Sequence, residues 1–457
     1  MSETGTGMPW QRALVYGLGL SGRAASRLLR RRGVAVVAAD RRQRDDLDLD
    51  ELAADPQVEL ALGAEPSELS PDVDLLVLSP GVPLDRPLVA AARRRRLPVM
   101  AEVELAFRCL DGPVLGITGS NGKSTTTALT GALLEACGYA VEVCGNIGRP
   151  LSDCVAGDAG RLFVTELSSF QLETVSRLRP RAGALLNISA DHLDRHADVG
   201  LYAAAKRALF ARQTADDVAV LNADDPAVAA LALAARKRWF SRRGPVADGC
   251  YLDGERIVEV EPGRPAAELF HRGDLPLAGE HNLENAMAAA LLARAAGAAP
   301  EQLRAGLASF RGLPHRLEKV ATIDAVDWYN DSKATNLSAA ARSLEGFADG
   351  SVHLILGGRH KGADPRQIGE PVRRKAARLY LIGESAELFR DALGDATAHE
   401  ICGDLATAMA AAGATARPGE TVLLSPACAS FDQYLNFERR GDEFRRLALA
   451  RLEGGDG

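Results

Sequence analysis

A glycine-rich segment at residues 116–125 carries the residue types that phosphate binding requires. It follows the apolar residues 114–117 and precedes a predicted helix that continues to Leu134. Glycines allow backbone N–H groups to turn towards an anion, and the start of a helix adds positive partial charge. A lysine there supplies a point charge, and the hydroxyl that follows it is placed to bind Mg²⁺. We predict that ATP phosphates bind to Gly119, Ser120, Asn121, Gly122, Lys123, Ser124 and Thr125.

The ends of the next two predicted strands also carry polar residues. Glu166 ends the apolar run at 162–166, and His192 lies in the segment after the predicted strand at 182–187. Because parallel strands end at the same edge of a sheet, Glu166 is placed to bind Mg²⁺ beside the phosphate loop. Taken singly, His192 is more often a structural hydrogen-bonding residue, and Lys206 on the following helix is by default a solvated lysine.

A second glycine loop occurs at residues 17–22, directly after the first predicted strand, and Asp40 ends the second strand. This spacing fits the dinucleotide fingerprint and, taken alone, favours an NAD-dependent dehydrogenase. The same loop chemistry binds any nucleotide diphosphate, however, and an ATP-type loop downstream argues against a purely redox enzyme. We interpret the first domain as binding a UDP-linked substrate through Gly19, Leu20, Ser21, Asp40, Arg41, Ser79, Pro80 and Gly81.

Short apolar runs alternate with helical segments along the chain, which is typical of α/β proteins. At 457 residues the chain is too long for one core, and we predict three domains, at 1–103, 104–312 and 313–457. The first is predicted to be Rossmann-like, the second a parallel-sheet domain of the P-loop ATPase type, and the third again Rossmann-like. We further predict a β-rich insert at 249–277, one helix at 281–299, and a hinge at 312–314.

The overall composition excludes several classes of protein. The 61 acidic and 54 basic residues give a net charge of -7, which argues against a general nucleic-acid binder. We find no signal peptide at the N-terminus and no apolar window long enough to span a membrane. The seven cysteines are dispersed without metal-binding spacing, which suggests reduced thiols. We therefore expect a cytoplasmic protein without nucleic-acid or membrane partners. As a separate expectation, it acts as a monomer on small molecules.

These motifs, taken together and in order, resemble those of the Mur ligases, whose superfamily includes the folylpolyglutamate synthetases. The resemblance covers nearly the whole chain and rests on segments 119–124, 166–171 and 187–194 and on Lys206. Within the family, segments 330–336, 357–364 and 424–433 resemble the branch that adds D-glutamate. The resemblance implies an ATP-dependent amide ligase that acts on UDP-N-acetylmuramoyl-L-alanine through an acyl phosphate in peptidoglycan precursor synthesis, giving ADP and phosphate.

The resemblance also implies roles for individual residues. Ser124 and Glu166 hold one Mg²⁺, and His192 and Lys206 hold a second, with Mn²⁺ able to substitute. Lys206 is then carbamylated, because an ammonium cannot ligate a cation whereas its CO₂ adduct is an anionic oxygen donor. With Lys123, these residues form the implied catalytic set.

Further implied contacts are spread over all three domains. Asn146 contacts the UDP-linked substrate near the reaction centre. The remaining nucleotide contacts are Asn282, Asn285, Arg316 and Asp331, and the D-glutamate pocket is formed by Thr335, Lys361, Ser430 and Phe431. Thr335 has the alternative of a helix N-cap, and Phe431 departs from the aliphatic residue we expect there.

Two other classes of function stay open at this point. One is a ligase of the same superfamily that adds L-alanine, a diamino acid or polyglutamate. The other is a nucleotide-binding regulator or switch NTPase, although the phosphate loop, counted from Gly116, is one residue longer than the strict pattern of such proteins. If the roles above hold, the third domain must close onto ATP about the hinge at 312–314.

Overall fold

The structure is a computed structural model that describes residues 8–66, 68–155, 160–189, 195–196, 198–277, 279–310 and 312–454. These residues form three sheets of five, nine and six strands. They divide into two compact units, one within 8–275 and 284–309 and the other within 276–283 and 310–454. No helix in the described part of the chain is long and apolar enough to cross a membrane.

The first sheet is fully parallel, in the order β3-β2-β1-β4-β5. Its middle strands are continuous buried apolar runs, as expected when helices cover both faces. The chain moves from β1 to β2 on one side and later to β4 on the other, which makes the carboxyl ends of β1 and β4 a topological switch point. The elements are β1 Arg12–Tyr16, α1 Leu20–Arg31, β2 Ala35–Asp40, a 3₁₀ turn Arg44–Asp46, α2 Asp50–Ala53, β3 Val58–Leu62, β4 Leu75–Leu78, α3 Pro87–Arg94, β5 Val99–Ala101 and α4 Glu102–Phe107.

The second sheet has the order β14-β13-β12-β11-β10-β9-β6-β8-β7, and only β13 and β14 are antiparallel to their neighbours. β6 lies between β8 and β9, so a second switch point lies at its carboxyl end. The elements are β6 Val114–Thr118, α5 Lys123–Ala136, β7 Val141–Gly145, α6 Leu151–Cys154, β8 Leu162–Glu166, α7 Ser169–Leu172, β9 Ala182–Leu185, α8 Val199–Arg207, a 3₁₀ turn Ala208–Phe210, β10 Val218–Asn222, α9 Pro226–Ala229, β11 Arg236–Ser241, β12 Gly249–Asp253, β13 Arg256–Val260, β14 Ala267–His271, a 3₁₀ turn Arg272–Asp274, α10 Glu280–Ala296 and α11 Pro300–Ser309.

The third sheet has the order β15-β16-β20-β17-β18-β19 and is parallel except for β15 at one edge. β16, β20 and β17 are adjacent, so the loops that follow them leave the same edge of the sheet. The elements are β15 Glu318–Ile323, β16 Val326–Asn330, α12 Leu337–Leu344, β17 Val352–Gly357, a 3₁₀ turn Pro365–Ile368, α13 Gly369–Lys375, β18 Ala376–Ile382, α14 Ala386–Leu393, β19 His399–Gly403, α15 Leu405–Thr415, β20 Thr421–Leu424 and α16 Phe437–Gly454.

The predicted α/β class and the β-rich insert are confirmed. The helix predicted at 281–299 is confirmed as α10, but it ends three residues earlier than predicted, at Ala296, and α11 begins at Pro300. Gly297 between them has a φ of +106°, a left-handed conformation that interrupts a right-handed helix. The predicted domain boundaries near residues 103 and 312 stay predictions.

Candidate active site

A cavity of about 600 Å³ opens at the switch point of the first sheet. Its walls come from the loops after β1, β2, β3 and β4, at the edge where a doubly wound sheet binds ligands. The size lies within the range of pockets for small organic ligands. Eight of the nine residues predicted to contact the UDP-linked substrate line this cavity: Gly19, Leu20, Ser21, Asp40, Arg41, Ser79, Pro80 and Gly81.

Asp40 shapes this cavity by holding the glycine loop. Its carboxylate accepts hydrogen bonds from the Leu18 N–H at 2.7 Å and from the Arg42 side chain at 2.8 and 3.1 Å. Burial alone raises the pKa of Asp40, but the hydrogen bonds from Arg42 and Leu18 outweigh it and lower the pKa from 3.8 to about 2. The carboxylate is therefore ionised, and it holds the backbone of the glycine loop through its hydrogen bond with the Leu18 N–H.

The sequence prediction missed seven residues that also line the cavity. Those that lie farthest along the chain belong to other loops, and no fixed number of residues separates these loops from the glycine motif. Gly17 in the glycine loop, Arg42 directly after Arg41 and Val82 directly after Gly81 are those whose positions could have signalled their roles. The seven residues are Tyr16, Gly17, Arg42, Glu65, Val82, Pro83 and Arg86.

Arg195 ties this cavity to the second sheet, and sequence reasoning did not select it. Its guanidinium donates to the carbonyls of Pro80 at 3.2 Å and Val82 at 3.0 Å. It also pairs with Glu173 at 2.7 Å and lies 4.7 Å from the ring centroid of Phe170. Because Phe170 and Glu173 follow β8 closely, the cavity wall is held against the segment that carries Glu166.

The predicted phosphate loop lies at the switch point of the second sheet, between β6 and α5. Its backbone is held from β9, because the Asn121 N–H donates to the Asn187 side chain at 2.9 Å and the Ser120 N–H to the Asn187 carbonyl at 3.0 Å. The Lys123 ammonium donates to the Gly119 and Ser120 carbonyls at 2.8 and 2.9 Å. The lysine therefore lies over the loop, where it can meet a phosphate.

Gly122 is the residue that permits the tight entry into α5. Its φ is +85°, and a Cβ here would overlap the side-chain oxygen of Asn285. No side chain caps the start of α5, and its first turn carries no acidic residue. The exposed N–H groups and positive end of this helix favour an anion.

The Glu166 side chain is buried, and one of its two carboxylate oxygens accepts no hydrogen bond from the described residues. Its Oε1 accepts a hydrogen bond from the Asn146 side chain at 2.7 Å, whereas Oε2 is buried without a hydrogen-bond partner among the described residues. A buried carboxylate oxygen without a partner is costly, and a bound cation removes that cost. Hard oxygen donors such as this carboxylate and the Ser124 hydroxyl suit Mg²⁺, so the residues fit such an ion. Asn146, the ninth residue predicted to contact the UDP-linked substrate, lies here rather than in the cavity.

Lys206 is buried beside the phosphate loop rather than solvated. Its ammonium donates to the Gly119 carbonyl at 2.8 Å and lies 4.3 Å from the ring centroid of Tyr202. His192 lies outside the described residues. Within the described part of the chain, no cluster of three or more His, Cys, Asp or Glu side chains is arranged to hold a metal. The second metal site thus stays a prediction.

The other residues predicted to contact the nucleotide, with Asn282 and Asn285 at the adenine, are largely buried. Asn285 on α10 accepts a hydrogen bond from the Thr126 hydroxyl of α5 at 3.2 Å, and Asn282 is one turn earlier in the same helix. In the second unit, the carboxylate of Asp331 accepts from two serine hydroxyls and from the Leu317 N–H. Burial raises the pKa of Asp331 to about 6. Arg316 lies on the segment just before β15 and, like Asp331, belongs to the second unit.

The four residues predicted to bind D-glutamate follow β16, β17 and β20, three adjacent strands of the third sheet. The Lys361 ammonium lies 3.4 Å from the Thr335 hydroxyl. Ser430 is buried, and its hydroxyl has no hydrogen-bond partner among the described residues. The alternative role of Thr335 as a helix N-cap is wrong, because Asn336 caps α12. Phe431 is 61% exposed on the loop after β20.

Comparison with known proteins assigns the chain to a family. Residues 11–101 match the N-terminal domain of MurD-like Mur ligases, residues 117–293 the Mur ligase middle domain, and residues 315–428 the glutamate ligase domain of Mur ligases. A protein from Myxococcus xanthus named UDP-N-acetylmuramoylalanine--D-glutamate ligase is 47% identical, over 96% of this chain and 98% of its own length. The chain belongs to the Mur ligase family. A relative of the same name from Acidobacterium capsulatum is 44% identical over 96% of both chains.

Solved structures of Mur ligases share the fold. UDP-N-acetylmuramate-alanine ligase from Thermotoga maritima superposes with a TM-score of 0.61 at 16% identity, over 96% of this chain and 99% of that chain. Pseudomurein peptide ligase type C from Methanothermus fervidus gives a TM-score of 0.60 at 18% identity, with the same coverage. At these identities the likeness supports the three-domain Mur ligase fold and nothing finer.

Proposed function

We propose that this chain is an ATP-dependent ligase that joins D-glutamate to UDP-N-acetylmuramoyl-L-alanine in peptidoglycan precursor synthesis. The observation that carries the proposal is the match of nearly the whole chain to D-glutamate ligases at 44–47% identity. The geometry agrees with it, since one Mur ligase chain provides a nucleotide-sized cavity, a phosphate loop and a cluster of polar residues at the edge of the third sheet.

The reaction begins with activation of a carboxylate, which is a poor electrophile. One oxygen of the L-alanyl carboxylate attacks the γ-phosphorus of ATP, ADP leaves, and an acyl phosphate forms. Both reactants are anionic, so their repulsion is the main obstacle. Lys123 and the N–H groups at the start of α5 are placed to reduce that repulsion.

Ser124 and Glu166 would hold a Mg²⁺, or a Mn²⁺ in its place. The ion would supply positive charge to the transferring phosphoryl group. Asn146 orients the Glu166 carboxylate through their 2.7 Å hydrogen bond. Oε2 of Glu166, which is buried without a hydrogen-bond partner among the described residues, is the oxygen proposed to bind the cation.

A second Mg²⁺ at His192 and a carbamylated Lys206 is also part of the proposal. In support, Lys206 is buried against the phosphate loop, where a solvated surface lysine has no reason to lie. As an ammonium it donates to Gly119, and as a carbamate it becomes an oxygen ligand.

The second step is attack by the amine of D-glutamate on the acyl carbon. A tetrahedral intermediate forms and expels phosphate, leaving the amide. Lys361 is proposed to pair with a carboxylate of D-glutamate, with Thr335 and Ser430 as hydrogen-bond donors. Phe431 is proposed to contribute backbone contact only. The proposal includes delivery of D-glutamate to the acyl phosphate by the domain at 313–457, with the hinge at 312–314.

A phosphate-release assay with a panel of amino acids tests the function. We expect turnover only when ATP, UDP-N-acetylmuramoyl-L-alanine and D-glutamate are all present. Turnover with L-alanine and the unsubstituted muramoyl nucleotide, or with a diamino acid, would assign the chain to another branch of the family. ATP hydrolysis that ignores both substrates would instead indicate a nucleotide-binding regulator.

A further inference from the structure

Arg440 on α16 is a buried arginine that belongs to none of the groups described so far. Only 1% of its surface is exposed. Its Nε donates to the Ser332 hydroxyl at 3.0 Å, and its Nη2 donates to the carbonyls of Ser332 at 2.9 Å and Cys428 at 3.0 Å. Nη1 lies 3.5 Å from the Ala429 carbonyl. All its hydrogen-bond acceptors are therefore neutral.

Within the described residues this charge forms no ion pair, although the Asp432 carboxylate acts on it from a greater distance. Among the described residues, no Asp or Glu oxygen lies within 4 Å of the Arg440 guanidinium. Arg238, another buried arginine, instead pairs with Asp248 and Glu259 at 3.0 and 2.8 Å. Burial lowers the pKa of Arg440 to about 10, so the group is still cationic at neutral pH. A buried cation without a counter-ion is costly, which points to a use for its charge.

The acceptors of Arg440 belong to the loops that carry the proposed amino-acid site. Ser332 follows β16, three residues before Thr335, and Cys428 and Ala429 follow β20, directly before Ser430. The third loop is also in reach, since a Cβ at Gly358, after β17, would lie 3.1 Å from Arg440 Nη1. The Arg440 guanidinium thus contacts the loops after β16 and β20 and lies next to the loop after β17.

We propose that Arg440 is a positioning residue for the amino-acid substrate. It holds the loops that carry Thr335 and Ser430 in fixed positions, and its positive charge favours a substrate with two carboxylates. The inference rests on the proposed function, because it takes these loops as the D-glutamate site. Arg440 acts through the loops and is not assigned a contact with the substrate. Its charge lowers the cost of bringing the two carboxylates of D-glutamate to this edge of the sheet.

The test compares Arg440→Met and Arg440→Lys with the wild-type chain, measuring kcat, the KM of each of the three substrates, and thermal unfolding. Arg440→Met removes charge and hydrogen bonds, and we expect the KM of D-glutamate to rise about 10- to 100-fold, as for loss of charged hydrogen bonds. The KM of ATP and of the UDP-linked substrate should stay within about twofold of wild type. Arg440→Lys keeps the charge but not the forked geometry, so its KM for D-glutamate should lie between the two.

Two matched variants separate positioning from folding. Arg439→Met removes the exposed neighbour on the same helix and should leave every constant unchanged. Arg238→Met breaks a buried arginine in the second sheet and should lower thermal stability without a selective effect on D-glutamate. Equal changes in all three KM values, or an Arg440→Lys protein no better than Arg440→Met, would overturn the inference. A wild-type chain that shows no D-glutamate-dependent turnover would overturn the proposed function instead.

Discussion

Replacing Arg195 by methionine tests how the first cavity is held to the catalytic segment. The arginine bridges the carbonyls of Pro80 and Val82 to the Glu173 carboxylate, and both charged side chains are only 13% exposed. Methionine keeps much of the side-chain volume but removes every one of these polar contacts. We expect the wall of the cavity to lose its fixed position and the UDP-linked substrate to bind less tightly.

The magnitude follows from which contact dominates. Stacking of Arg195 on Phe170 contributes about 0.5–1 kcal/mol. Leaving the partly buried Glu173 without Arg195, and with His196 at 3.7 Å as its neighbour, costs more, about 2–4 kcal/mol. We therefore expect the free energy of unfolding to fall by about 2–4 kcal/mol, and the KM of the UDP-linked substrate to rise about tenfold because its pocket is less preorganised.

The assay combines denaturant titration with substrate kinetics. Arg207→Met, an exposed arginine on α8, is the matched control and should change neither. A double-mutant cycle with Glu173→Gln should give a coupling of about 1–3 kcal/mol, since the two side chains are in contact. If Arg195→Met unfolds like the wild type, or raises the KM of all three substrates equally, the bridge does not hold the cavity.

Three further predictions address other parts of the site. Gly122→Ala should abolish ATP binding measured by calorimetry, because the new Cβ overlaps Asn285. Gly138→Ala is the control and should leave ATP binding intact, since Gly138 has a similar φ of +82° and no heavy atom lies within 4 Å of the added Cβ. Equal ATP binding by the two variants would contradict the steric argument. Lys206→Ala should abolish turnover, and short carboxylic acids should restore part of it; restoration by amines instead would indicate that the ammonium acts. Asp40→Asn should lower the free energy of unfolding by about 1–2 kcal/mol near neutral pH. Because the folded-state pKa of Asp40 lies below its usual 3.8, this contribution is present above pH 3.8 and is lost as the pH falls to about 2, so denaturant titrations showing a constant gap over that interval would refute it.

The strands at the centre of each sheet were predictable because continuous apolar runs determine them. β8 matches the predicted run at 162–166 residue for residue, since every residue in it is buried. β3 and β19 were missed because they lie at sheet edges, where half-exposed residues leave no such run. The sequence predicts the first helix at 23–32, whereas α1 begins three residues earlier, directly after Gly19.

The site was predictable where local rules apply. Ligand-binding residues in glycine loops and at strand ends can be recognised from their spacing in the sequence. This explains why eight residues of the first cavity were predicted. Arg195 and Arg440 were not selected, because each holds a loop more than 100 residues away in the chain, at Pro80 and Val82 for Arg195 and at Ser332 for Arg440. Such contacts depend on how the elements pack, and no motif encodes them. The exposure of Phe431 likewise depends on the path of its loop rather than on its residue type.

The central claim is that the reaction passes through an acyl phosphate. Following one oxygen atom of the substrate carboxylate tests this claim most directly. UDP-N-acetylmuramoyl-L-alanine labelled with 18O in its carboxylate is turned over with ATP and D-glutamate, and the released phosphate is analysed by mass spectrometry. If the carboxylate attacks the γ-phosphorus, each phosphate released with a new amide carries one oxygen from the labelled carboxylate. Phosphate without label, or release of AMP and pyrophosphate, would contradict the account.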